Sequence, residues 1–375
     1  MILPVVVGIL VVAVVLWEAF ETIVLPRRVA RKFRFTRAFY LSTWIPWRAF
    51  ARAIKSRKAR ETYLSYFGPL SLLMLFVVWA IVLICGFGLA YFGASRSDGF
   101  SPALGTCIYM SGTNFFTLGL GDVTPHTSAE RFLAVVESGL GFGFLALVLS
   151  YLPVIYQAFS KREVNIVLLD ARAGSPPTAA ELLRRHSGPQ GISALQQLLH
   201  DWERWSAELL ESHVSYPVVS YFRSQHNNES WLSALTAILD VSALLISGAD
   251  DACARQARLT FAMCRHTVVD IAQVFYAAPR PFEKDRLPPE DLERLRTTLA
   301  SSGVRLREDS AAAKKLMELR GMYEPYVAAL ASFLFVQVPP FILAKEITDN
   351  WKTSAWGRIS GYSVQPHAEA QADDH

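Results

Sequence analysis

Charge and cysteine are both scarce in this sequence: Lys, Arg, Asp and Glu make up 19% of 375 residues, and there are four cysteines. With 52% hydrophobic content and a positive mean hydropathy, the chain is too apolar for an ordinary soluble enzyme and too polar for a polytopic transporter. A membrane part joined to a soluble part fits both limits. Cys253 and Cys264 lie on one predicted helix, separated by about 16 Å of axial rise, so they cannot pair within it. Reduced thiols in a cytoplasmic setting are expected. There is no glycine-rich strand–turn–helix fingerprint of a dinucleotide-binding domain and no cyclic-nucleotide-binding barrel. No nucleophile, carboxylate pair or phosphate loop argues for catalysis, so the chain is not expected to be an enzyme. His213, Tyr216, Arg223 and His226 match no metal-ligand spacing and read as packing and surface residues.

Long apolar runs carry most of the information. Residues 1–25 form an extra N-terminal span; no basic region precedes it and no small-residue cleavage site follows, which argues against a signal peptide. From Arg27 to Arg60 there are twelve Lys or Arg and no acid. Positive loops stay in the cytoplasm, so the N-terminus is expected outside. A second span, Phe67 to Phe92, leads outward, and residues 102–116 are too short to cross. A third span, Ala129 to Phe159, leads back to Lys161-Arg162, and everything beyond is expected to be cytoplasmic. No span carries Arg at every third position, which excludes a voltage sensor.

Between the second and third spans lies Ser111-Gly-Thr-Asn-Phe-Phe-Thr-Leu-Gly-Leu-Gly-Asp-Val-Thr-Pro125. Its centre, Thr117-Leu-Gly-Leu-Gly-Asp122, resembles the selectivity filter of potassium channels, usually Thr-Val-Gly-Tyr-Gly-Asp. An ion that sheds water needs rings of backbone carbonyls in its place, and alternating glycines allow the backbone this requires. The resemblance implies that Thr117, Leu118, Gly119, Leu120 and Gly121 form the filter, with K+ at Thr117 to Leu120 as the permeant ion and no other cofactor. It implies that residues 102–116 are a tilted pore helix and that Asp122 holds the outer end of the filter against that helix. Four loops close one pore, so a homotetramer is implied. Leu120 stands where the family carries Tyr, and Tyr109-Met110 where many members carry a Trp pair. Phe115 and Phe116 are expected to brace the filter by packing behind it. Without the tyrosine, a weakly selective cation channel stays open beside a potassium channel.

In the third span, Gly139, Gly141, Gly143 and Pro153 are gating candidates, Gly141 standing where the family has its bending point. Equally, the glycines could let this helix approach the pore helix or a neighbour. Glu137 is an intramembrane acid, either a functional group or an acceptor behind the pore helix, the second reading being preferred. Glu18 and Glu21 share a face of the first span, with Arg27 or Arg28 as expected partners.

The basic segment 26–66 interleaves its cations with aromatics, as an amphipathic helix lying in the cytoplasmic interface does. Trp44, Trp47, Arg48 and Arg52 are its lipid-facing candidates, with anionic lipid as partner and no nucleic acid. Past a linker at 161–177, residues 178–357 read as a helical cytoplasmic domain, followed by a disordered tail at 358–375. Thr178 and Glu181 suggest a capping box. Leu195, Leu198, Leu199, Trp202, Trp205 and Leu209 form an amphipathic stripe. Further helices are expected at 229–247, 251–277, 288–301 and 309–335. The apolar runs Leu232–Ile246 and Tyr326–Ala344 are expected to be core helices of this domain.

The expected fold is thus an all-α membrane protein: three transmembrane helices with a re-entrant pore helix and filter (pore domain 67–160), then an all-α cytoplasmic domain. The expected function is a potassium channel of a prokaryotic plasma (inner) membrane, gated by inner-helix bending coupled to lipid or to the cytoplasmic domain. A non-conducting membrane-anchored scaffold is the alternative from another class.

Overall fold

The computed structural model describes residues 2–25, 34–95, 102–188, 190–225, 228–248, 251–345 and 348–352. Among them are twelve α-helices and no strand. Arg27, Arg28, His226 and the tail at 358–375 lie outside the described residues.

Helix α1 (Ile2–Ala19) ends in a π-helical turn, Phe20–Val24, and packs along α4 (Phe67–Ser95). Glycine lets the two backbones meet: a Cβ on Gly8 would lie 2.5 Å from the Gly86 carbonyl oxygen. At 29 residues, or about 44 Å, α4 more than spans a hydrocarbon core. Short α5 (Leu104–Phe115) packs between α4 and α6 (Ser128–Ala173). A reciprocal capping box between Thr127 and Glu130 starts α6, and Ser95 at the end of α4 donates to the same Glu130 carboxylate. The two long helices are therefore tied together at the level where the loop between them begins.

The segment 161–177, expected as a linker, is mostly helix. Lys161-Arg162 marks where polar residues begin, but α6 continues through it to Ala173 because Ile166, Leu169 and Ala173 bury their face in the following domain. It stops at Gly174, with φ +82° and two prolines behind it.

The remaining helices form a bundle: α7 (Ala179–Arg185), α8 (Gly191–Ser215), α9 (Trp231–Gly248), α10 (Asp251–Val274), α11 (Pro289–Ser301) and α12 (Ser310–Leu334). The α8 stripe from Leu195 to Leu209 is buried at all six positions. Among the described residues four helical stretches are long and apolar enough to cross a membrane, α9 among them. Every residue of α9 from Trp231 to Leu245 is buried against protein, chiefly α10 and α12, which makes it a core helix. Its Asp240 accepts from Arg286 and Tyr323, so the buried carboxylate is paired. The run Tyr326–Ala344 is helical only as far as Leu334; Phe335 is left-handed, and Pro339-Pro340 prevent any continuation. At Thr178 only half of the expected capping box forms: its hydroxyl accepts from Glu181 N at 3.3 Å, while the Glu181 carboxylate turns to Arg184 and Arg185.

The basic segment departs most from expectation. Helices α2 (Phe35–Ala53) and α3 (Arg57–Ser65) are amphipathic, but the aromatic face turns into protein. Trp44 is 1% exposed and donates Nε1 to the Phe333 carbonyl at 2.9 Å. Arg48 donates to the Ser332 carbonyl at 3.0 Å, Trp47 stacks on Tyr63, and Arg52 lies 6.0 Å from the Phe335 ring. As a lipid-facing residue Trp44 is corrected, Trp47 and Arg48 are partly buried against protein, and Arg52 stays exposed. The end of α12 presents free carbonyls and an aromatic cluster that take up the rings and guanidinium groups.

Candidate functional site

The loop between α5 and α6 holds the site. Two backbone bonds close the end of α5, Thr117 N to Asn114 O at 3.0 Å and Leu118 N to Thr113 O at 2.8 Å, and aim the chain back along the helix. Thr117, Gly119 and Gly121 then adopt φ of +55°, +59° and +76°. Leu118 and Leu120 between them do not. Such alternation between left- and right-handed backbone turns successive carbonyls to the same side of a ribbon. Nothing lies within 4 Å of a Cβ built on Gly119 or Gly121, so glycine is required there by conformation rather than by space.

Polar bonds behind the ribbon join three helices. Tyr91 of α4 donates to Glu137 Oε2 of α6 at 2.8 Å, Ser111 of α5 donates to the other oxygen, and Asn114 Nδ2 donates to the Tyr91 hydroxyl at 3.3 Å. Ser138 donates to the Asn114 carbonyl at 3.3 Å. Glu137 is 0% exposed and accepts from α4 and α5, the arrangement of the preferred acceptor reading. Gly141 is the point of closest approach: a Cβ there would lie 2.0 Å from the Phe115 carbonyl oxygen. Gly139 and Gly143 meet nothing within 4 Å, and α6 runs unbroken through all three glycines and Pro153. Phe115 is buried behind the loop, 5.8 Å from the Phe144 ring. Phe116 is 59% exposed on the single chain, so of the two expected braces only Phe115 stands behind the ribbon.

The outer end has a brace that Leu120 does not supply. Tyr109 on α5 donates its hydroxyl to Asp122 Oδ2 at 2.9 Å, and Asp122 Oδ1 accepts from Val123 N. Asp122 thus bonds to α5 through the residue that stands where many members of the resembled family carry the first Trp of a pair. Sequence reasoning noted Tyr109 as a departure and missed its role; its thirteen-residue separation from Asp122 was the available signal.

At the inner end, α6 is anchored to the bundle by buried Arg162. It donates to the carbonyls of Val219 and Phe222, each at 2.9 Å, and pairs with Glu163 at 2.8 Å. His213, one of the residues read as packing or surface, lies fully buried with Nε2 3.5 Å from Arg162 and its ring 5.1 Å from that of Trp231. Burial, followed by the Arg162 charge, pushes its pKa well below the usual imidazole value. The four cysteines are unpaired among the described residues, and burial pushes the Cys264 thiol up to about 12.

Residues 72–157, which contain the ribbon, the pore helix and both flanking helices, match the family described as "Ion channel". These residues are an ion-channel domain. The matched residues occupy part of an all-helical membrane protein, and the match stops before the helical bundle that begins at α7. The chain is also similar to an uncharacterized membrane protein, YdjJ, of Bacillus subtilis (strain 168), 26% identical over 207 residues. That match covers 53% of this chain and 58% of the relative. No solved structure matches.

Proposed function

We propose that the chain assembles as a homotetramer and conducts potassium passively through the carbonyls of Thr117 to Gly121. The observation that carries this reading is the alternation of left-handed residues at 117, 119 and 121, directly after a pore helix and between two apolar helices. Fourfold assembly is supported by the uncovered apolar face of α6, where Phe132, Val135, Phe142, Leu145 and Leu149 are exposed on the single chain. The setting is a prokaryotic inner membrane with the N-terminus outside and the bundle cytoplasmic, the orientation that the basic segment favours. Because α6 enters the bundle as one rod, the bundle acts on the inner mouth by moving that rod, with Pro153 as its weakest turn. Anionic lipid would act beside Tyr151, in a cavity of about 360 Å3 edged by Arg34 and Arg37.

A weakly selective cation channel is the second reading, favoured by Leu120 in place of tyrosine. Reconstituted protein between potassium and sodium solutions decides between them. A reversal potential near that of potassium is expected; one near zero with clear current establishes the weak channel. Gly119→Ala is expected to abolish flux, since a left-handed residue with a side chain is strained by about 1–2 kcal/mol. Undiminished flux in that variant would remove the ribbon from the conduction path.

A further inference from the structure

Where α6 ends, the α6–α7 turn, α7, α11 and residues 342–345, 349 and 352 line a cavity of about 330 Å3. Its floor is structural: Arg185 Nη2 donates to both oxygens of buried Asp349 at 3.0 Å, and Ser175 Oγ accepts from Asn350 N. Its lining is electrically unbalanced. Arg184, Arg185, Arg294, Lys345 and Lys352 face it; Glu181 and Asp349 on the lining and Asp291 beside it, 2.9 Å from Arg294, take part in ion pairs with four of them, which leaves five cations against three acids. The rim cations are reachable from solvent: Arg184 and Arg294 have side chains 44% and 43% exposed, and Lys345 is exposed too. Pro176, Ile342 and Leu343 supply an apolar ledge on the same wall.

We propose that this cavity binds a phosphorylated small metabolite of the nucleotide class. Guanidinium forks suit phosphate oxygens, the ledge suits a flat organic portion, and the volume lies within the range of small-molecule sites. Location excludes a lipid headgroup: Ala173 is fourteen residues past Phe159, where the apolar span ends, or about 21 Å further along the helix axis. Because Ala173 and Gly174 line the cavity, a bound anion draws α7, α11 and residues 342–345 onto the end of the helix that lines the pore. This regulatory consequence rests on the channel reading; the binding itself does not.

The test is calorimetric titration of purified full-length protein with ADP, with inorganic pyrophosphate as competitor. Saturable ADP binding that pyrophosphate displaces is expected, weakened about tenfold or more by the double variant Arg294→Ala/Lys345→Ala. The control Arg307→Ala/Lys315→Ala removes two remote surface cations and is expected to bind as the parent does. Absence of binding, equal loss in the control, or indifference to pyrophosphate overturns the proposal. Helical content and elution volume of each variant exclude misfolding as the cause. ADP-dependent change of potassium flux in liposomes reads the regulatory step, and its absence alongside intact binding would overturn the regulation while leaving the site. A failed channel reading shows itself separately, as flux unaffected by Gly119→Ala.

Discussion

Single residues divide here between those chosen for space and those chosen for conformation. Gly119 and Gly121 have empty surroundings and positive φ, whereas Gly141 sits against the Phe115 carbonyl. Gly141→Ala should therefore overpack this contact, at a cost of about 1–3 kcal/mol, and lower the thermal midpoint of the purified protein. Gly139→Ala and Gly143→Ala should leave the midpoint unchanged or raise it, since alanine is the better helix former. Equal destabilisation by all three would mean that the close approach is not what matters. Tyr109→Phe removes the bond to Asp122 while keeping the ring. The expected outcome is conduction with a lower potassium-to-sodium permeability ratio, read from the reversal potential; an unchanged ratio would show that the outer brace does not stiffen the filter.

Helices decide how the two halves of the protein communicate. Periodicity and apolar run length located α9 to α12 to within a few residues, because those signals are local. The fate of α2 was not local. Cations among aromatics describe an interfacial helix and a helix docked on protein equally well, and the difference lies in the α12 carbonyls nearly three hundred residues away. Trp44→Ala is expected to destabilise the protein by about 3–5 kcal/mol, the usual range for deleting a large buried ring. Thermal unfolding in detergent measures it. A residue that merely touched lipid would leave the midpoint near the parent's, and that result would restore the interfacial assignment.

For the whole molecule, the junction at Arg162 makes stability depend on acidity. His213 is held neutral by burial and by Arg162, so its folded pKa lies below its unfolded value of 6.5. Below that value the unfolded chain takes up a proton that the folded chain refuses, and stability falls as pH drops through about 6.5. His213→Gln should flatten this acid slope in thermal midpoints measured from about pH 7.5 to 5.5, and an unchanged slope would assign it to other groups.

The apolar helices and the helical bundle are legible from the chain itself, since each depends on neighbours within one turn, one span or one loop. Thr117 to Asp122 is legible for the same reason: its glycines are demanded by backbone conformation, which is a property of the residue. Three assignments needed the folded molecule, namely the Tyr109–Asp122 bond, Trp44 inside the protein, and α6 as one rod ending at a cationic cavity. Each depends on which groups meet across long sequence separations, and burial of a polar or aromatic side chain is favourable only where those partners arrive.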